Sequence, residues 1–170
     1  MGKCIYIDLD GVILDSQERM LERKYLTGFT DHTDKNQFDN YFNYTNIHQE
    51  EWNYIIRDAK SINDSVEIIK ELQQMKKNIA ILTKINTLKE MEVKIVDLRN
   101  HRKIFVPIIF VPPSAKKHQV IMPNKQLLID DYQKNVYQWI ENGGKGLIFD
   151  QNLIENTNQK VKSLEFLLKR

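Results

Sequence analysis

Two aspartates separated by a single residue follow an apolar run near the start of the chain, in Lys3-Cys4-Ile5-Tyr6-Ile7-Asp8-Leu9-Asp10-Gly11-Val12. Carboxylates so spaced, bent over by a glycine, make a pocket for a hard cation and a phosphate. An aspartate in such a place can also attack phosphorus itself and form an aspartyl-phosphate. The positioning element is a short strand over Ile5–Ile7, filled by β-branched and aromatic residues. Asp8 then falls at the strand's C-terminal end, the edge where open parallel sheets bind ligands. Gly11 lets the backbone turn sharply and approach a bound group. The plainer reading is a strand followed by an Asp-Gly turn, but further elements appear downstream in the order such a site needs.

Those elements alternate. Ile79–Leu82 reads as a second strand ending at Thr83, followed by Leu88, Met91, Ile95 and Leu98 at helical spacing. A third strand spans 104–111, weakened by Pro107. Leu127–Ile129 is a fourth, ending at Asp130-Asp131, and Val136, Trp139 and Ile140 mark a helix that Gly143-Gly144 terminates. Gly146–Phe149 is a fifth strand, and Val161, Leu164, Leu167 and Leu168 stripe a final helix. The pattern predicts an α/β fold, a Rossmann-like parallel sheet with helices on both faces. A polar segment, residues 16–62, is inserted after the first strand as a small helical cap. The core is then residues 1–15 and 63–170. Asn63-Asp64 followed by Glu67 predicts a capped start for a helix over 66–75. A cap at this edge would shield the site from water and select substrates.

Asp8-Leu9-Asp10-Gly11-Val12 resembles the first motif of the haloacid dehalogenase superfamily of phosphatases. Leu127-Leu128-Ile129-Asp130-Asp131 resembles the late motif of its 5'(3')-deoxyribonucleotidases. The resemblance spans roughly residues 3–150 and is weakest over the cap. It implies that Asp8 is the nucleophile and Asp10 the general acid/base, a role that demands a raised pKa. It also implies a Thr or Ser for the phosphate, placed here at Thr83, a lysine, and late acidic residues holding Mg2+. Asp8 would ligate through its side chain and Asp10 through its backbone carbonyl. Asn135 and Gly143 match the family's offsets when counted from Asp131, which makes Asp131 the direct ligand and Asp130 its neighbour or water-bridged partner. Asp130-Asp131 would also start the following helix.

A cation is needed to hold the phosphate among these carboxylates. Lys116, Lys117 and Lys125 all lie between the third strand and Asp130. Lys117, with Val120 three residues on, fits the family's local pattern best, Lys116 is the second choice, and Lys125 lies too close to the strand. A surface charge is the bland alternative for any one of them. His32, His48, His101 and His118 show no metal-ligand spacing. The cap carries Tyr25, Phe29, Phe38, Tyr41, Phe42, Tyr44, Trp52 and Tyr54. Tyr41, Phe42, Tyr44 and Trp52 could stack on a nucleobase, or simply form the cap's own core.

The chain has 170 residues, 41% hydrophobic and 28% charged, which fits a soluble domain with a real core. A net charge of +2 gives no reason to expect nucleic acid or an anionic membrane as partner. No apolar run is long enough for a membrane span, and the N-terminus enters its first strand without a signal peptide. Tyr6 breaks any myristoylation pattern behind Gly2. Cys4, the single cysteine, is expected to be an inert core thiol. Cytoplasmic localisation is the expectation.

The predicted function is a Mg2+-dependent phosphomonoesterase acting through an aspartyl-phosphate on a small phosphorylated substrate, a nucleoside or deoxyribonucleoside monophosphate. A phosphatase of sugar phosphates or other small phosphoesters is the alternative. A phosphoacceptor signalling domain is disfavoured, because there the acidic pair comes early and the acceptor aspartate lies on a middle strand. A silent binding module is disfavoured because every expected catalytic residue type is present.

Overall fold

Ile5–Ile7 forms β1 at the centre of the sheet, between β2 (Ile79–Lys84) and β4 (Leu127–Asp130). The computed structural model describes residues 3–28 and 37–169, with side chains in the second segment from residue 40. Phe29, His32 and the Phe38 side chain fall outside the described residues. The sheet has six strands, all parallel, in the order β3-β2-β1-β4-β5-β6, with β3 at Ile108–Val111, β5 at Lys145–Phe149 and β6 at Lys160–Val161. This is a doubly wound α/β fold, and the order of connection reverses between β1 and β4. At such a reversal the loops leave a crevice beyond the strand ends.

Both faces of the sheet are buried, so its strands read as unbroken apolar runs. Ile7, Ile79, Ile81 and Ile129 pack into one apolar cluster, and Tyr6, Ala80, Leu82 and Leu128 pack with Trp139 on the other. Trp139 lies edge-on to Tyr6 at 5.5 Å and donates to the Gln126 carbonyl at 3.0 Å.

The insertion carries α1 (Ser16–Leu26), α2 (Gln37–Ile47) and α3 (Glu51–Arg57). Asp15 caps α1 by accepting from the Glu18 amide. The insertion's neck is pinned: Asp15 N donates to Lys60 O at 2.9 Å and Ile62 N to Ile13 O at 3.1 Å. Met20, Tyr41, Trp52, Ile55 and Ile56 extend the same apolar cluster that packs against the sheet.

Several sequence expectations need correction. The third strand begins only at Ile108, because Pro107 cannot donate to the ladder and Lys103 takes a left-handed turn. The helix entered at Asn63-Asp64 is α4 (Ser65–Gln74), but neither residue caps it. Asp64 is left-handed, Asn63 donates to Lys162 O at 2.6 Å, and Ser61 Oγ takes the Val66 amide. The final stripe is not a helix: Val161 adds β6 to the free edge of β5, and Leu164 and Leu167 are buried around a 3-10 turn at Glu165–Leu167.

The largest correction concerns α5 (Leu88–Val96), which runs into a π-helical turn at Asp97–His101. Of the apolar stripe predicted to face the core, Leu88 is 75% exposed and Ile95 also faces solvent. Met91 is half-buried and Leu98 fully buried, as the stripe requires, but the rest of the inner face is Glu90, Val93, Lys94 and Asp97. Two oppositely charged side chains one turn apart occupy the inner face.

Candidate active site

Asp8 and Asp130 emerge side by side, because Ile7 pairs with Ile129 across β1 and β4. Each carboxylate is buried, and Lys117 joins them: its Nζ lies 2.8 Å from Asp8 Oδ1 and 2.6 Å from Asp130 Oδ2. Lys117 opens the single-turn helix α6 (Lys117–Val120) and is only 3% exposed, whereas Lys116 and Lys125 are exposed. Asp8 Oδ1 also accepts from the Leu9 amide at 2.8 Å.

Asp130 is held on both oxygens. Asn135, from α7 (Gln133–Glu141), donates to Oδ1 at 3.2 Å and Oδ2 at 3.0 Å, and the Tyr132 amide donates to Oδ1 at 2.9 Å. Asn135 therefore braces Asp130 rather than Asp131. Asp131 is half-buried and accepts one hydrogen bond from Gln17 Nε2 at 2.9 Å. Oxygens of Asp8, Asp130 and Asp131 lie within 4.8 Å of one another.

Burial raises the Asp8 pKa well above the ordinary carboxylate range; Lys117 pulls it back, and Asp130, Asp10 and Asp131 push it further up. Burial and the charge of Asp130 raise Asp131 to about 6. Three carboxylates facing one ammonium form an anionic pocket.

Asp10 stands apart from this group. Ser16 Oγ donates to its Oδ1 at 2.7 Å, and Lys94 Nζ and Thr83 Oγ1 donate to its Oδ2 at 2.6 and 3.2 Å. The sequence-based expectation of a raised pKa is overturned here. Burial alone would raise it, but the charge of Lys94 and the three hydrogen bonds hold it below the ordinary value. Thr83, fully buried on β2, turns its hydroxyl to Asp10.

Beside Asp10 and beneath the insertion opens a cavity of about 420 Å3. Ser16, Gln17, Lys84, Asn86 and Glu90 give it a polar side, and Met20, Phe42, Trp52 and Ile55 an apolar one. Of the cap aromatics singled out in the sequence, Phe42 and Trp52 reach this cavity, packed edge to face at 6.2 Å. Tyr41 is fully buried, with its hydroxyl on Glu51 at 3.3 Å, and Tyr44 stacks on it at 6.0 Å.

Sequence reasoning missed Lys94, Glu90, Ser16 and Gln17. The available signal was the Glu90/Lys94 pair at helical i,i+4 spacing just after Thr83.

No protein-family model matches the sequence, and no curated protein matches it. Solved structures do. The HAD-hydrolase YfnB from Bacillus subtilis, bound to magnesium, superposes with a TM-score of 0.64 at 12% identity, over 98% of this chain and 97% of that one. CbbY from Rhodobacter sphaeroides, in complex with phosphate, gives 0.61 at 13%, over 96% and 95%. L-2-haloacid dehalogenase from Xanthobacter autotrophicus, with chloropropionic acid covalently bound, gives 0.61 at 12%, over 99% and 98%. The chain has the fold of the haloacid dehalogenase hydrolases. That fold hosts more than one chemistry, so the reaction has to be argued from the site. Among the described residues no helix is long and apolar enough to cross a membrane.

Proposed function

We propose that this protein is a magnesium-dependent phosphomonoesterase that passes a phosphoryl group through Asp8, and that its substrates are nucleoside monophosphates, deoxyribonucleotides foremost. The observation that carries the reading is the placement of Asp8 at a central strand end, charge-paired with Lys117 and grouped with Asp130 and Asp131. Lys117 is assigned to phosphate binding on the same grounds; Asp10 is assigned to proton transfer and Thr83 to the phosphate by their places in the resembling motifs, with Thr83 donating to Asp10 at 3.2 Å.

The donor set fits a hard dication. Three carboxylates supply oxygen ligands only, as magnesium prefers alongside substrate phosphate. Gly11 leaves room for the third: a Cβ there would sit 2.2 Å from Asp131 Oδ2. Asp131, with one neutral donor, is the freer ligand, and Asp130, saturated by Lys117, Asn135 and Tyr132, orients its neighbours. Magnesium would neutralise phosphate charge that the carboxylates otherwise repel.

In the first step an Asp8 oxygen attacks phosphorus. The P–O bond to the leaving oxygen breaks with its electron pair on that oxygen. Asp10 rests as a carboxylate, so it relays the proton that a monoester monoanion brings, since the second phosphate ionisation lies near about pH 6. In the second step Asp10 takes a proton from water as the water attacks the aspartyl-phosphate. The P–O bond to Asp8 breaks, its electron pair restores the Asp8 carboxylate, and Asp10 passes the water's proton to the departing phosphate. Lys117 stabilises charge on the transferring group in both steps.

The cavity beneath the insertion supports a base-bearing substrate: Phe42, part-exposed and backed by the buried Trp52, offers flat apolar surface, and Gln17 and Asn86 offer amide groups. A screen of nucleoside 5'- and 3'-monophosphates against sugar phosphates, with magnesium present, tests this. Brisk hydrolysis of sugar phosphates alone would sink the nucleotide assignment and leave the reaction class.

Three expected outcomes follow from this reading. Truncating Phe42 to Ala lowers nucleotide kcat/KM by about 5- to 100-fold, the worth of one stacked base, while p-nitrophenyl phosphate turnover changes little. EDTA abolishes activity, magnesium restores it, and calcium restores it poorly because its looser, higher coordination misplaces Asp8. Gly11→Ala forces a side chain onto a backbone at φ +78 and into Asp131. Its half-saturating magnesium concentration therefore rises about 10- to 100-fold; an unchanged magnesium titration would show that Asp131 does not depend on Gly11.

A further inference from the structure

Lys94 is the buried charge that the two-step reaction leaves without a task. It is 1% exposed and does not itself line the substrate cavity, although it bonds to Asp10, Lys84 and Glu90, which do. Nζ donates to Asp10 Oδ2 at 2.6 Å, Glu90 Oε1 at 2.7 Å and the Lys84 carbonyl at 3.0 Å, and lies 3.4 Å from Thr83 Oγ1. Glu90 is fixed in turn, its other oxygen accepting from the Asn86 amide at 2.7 Å and side chain at 3.0 Å. Burying a lysine and a glutamate is costly unless the pair is fully hydrogen-bonded, and apolar residues at the same sites commonly serve stability as well or better. The helix had such residues to hand in Leu88 and Ile95, yet it turns them outward and places the ion pair against Asp10. A chain of fixed contacts thus runs from the α5 backbone through Glu90 and Lys94 to one carboxylate oxygen, while Ser16 holds the other.

We infer that Lys94, anchored by Glu90, is a positioning residue that locks the Asp10 carboxylate in the single orientation its proton transfers require. The inference rests on the phosphomonoesterase reading above. Lys94 acts through Asp10 and not on substrate, so its loss matters only where Asp10 matters. An alkyl ester needs a proton on its leaving oxygen, whereas p-nitrophenolate departs without one. The ratio kcat/KM reports the step up to leaving-group departure, which is where the two substrates differ.

The test compares kcat/KM of wild type and Lys94→Met on a deoxynucleoside 5'-monophosphate, a sugar phosphate and p-nitrophenyl phosphate, with magnesium, alone and in an Asp10→Asn background. The alkyl esters that wild type accepts are expected to lose on the order of 100-fold, part of what a positioned acid/base contributes, and the aryl ester less than about threefold. Asp10→Asn/Lys94→Met should be no slower on alkyl esters than Asp10→Asn, because residues acting as one unit are not additive. Should Lys94→Met not fold, Lys94→Met/Glu90→Gln, which leaves no buried Glu90 charge without its cation, carries the same comparison. Equal losses on alkyl and aryl esters, no loss on either, or a full further loss in the Asp10→Asn background would each overturn the inference and leave the phosphomonoesterase intact. A wild-type protein that hydrolyses no phosphomonoester would overturn both.

Discussion

Asp8→Asn is expected to cut phosphomonoester turnover by at least about 10⁴-fold, the scale on which removal of a catalytic nucleophile acts, while leaving the fold in place. An amide oxygen lacks the charge and nucleophilicity to open the ester bond. The amide still accepts from the Leu9 amide and from Lys117, which made those bonds to the carboxylate. Removing the charge also relieves repulsion from Asp130, Asp10 and Asp131, and Lys117 keeps Asp130 at 2.6 Å. Thermal unfolding should therefore stay within about 3 °C of wild type. Residual turnover of a tenth or more, in a folded variant, would rule Asp8 out as nucleophile.

Lys117→Ala should fail in two measurements at once. The ammonium is only 3% exposed and bridges two buried carboxylates. Without it Asp8 and Asp130 face each other unpaired, and breaking a buried ion pair from one side costs about 3–5 kcal/mol, or a fall of about 10 °C in Tm. Below that transition, kcat should drop by about 10²–10³-fold, the scale of losing one preorganised charge donor. The same change at Lys116 or Lys125, both exposed, should do neither. If Lys116→Ala or Lys125→Ala proved the more damaging to turnover, the phosphate-binding lysine would have to be reassigned.

Much of this site was legible in the sequence where local signals sufficed. Ile5–Ile7 is a strand because its residues suit nothing else so close to Gly11, and Asp8 then has to sit at its end. Leu127–Ile129 likewise delivers Asp130 to the same edge, and Gly143, at φ +86, stops the helix that braces it. Illegible were the features whose partners lie far along the chain. Nothing near Lys94 reveals that Asp10, 84 positions away, receives its charge. The apolar periodicity of Leu88, Met91, Ile95 and Leu98 holds for Leu98 but not for Leu88 and Ile95, because hydrophobic spacing cannot anticipate a buried ion pair. The raised pKa that an acid/base role demands of Asp10 failed for the same reason, the charge of Lys94. Asn135 was counted from Asp131, but spacing along a helix does not say which of two adjacent carboxylates it meets, and it meets Asp130. The spacing of Val161, Leu164, Leu167 and Leu168 suggests a helix, whereas a two-residue edge strand such as β6 is defined by its neighbour β5 and not by its own residues.

The central claim is that the phosphoryl group passes through Asp8. Rapid acid quenching across the first turnover of a nucleoside monophosphate, followed by mass spectrometry of the peptide carrying Asp8, tests it most directly. The account predicts a transient gain of one phosphoryl mass on Asp8, formed as the nucleoside is released, decaying as phosphate appears and absent from Asp8→Asn. Release of both products in the first turnover with no label on Asp8 at any quench time, or label on another residue, would contradict it.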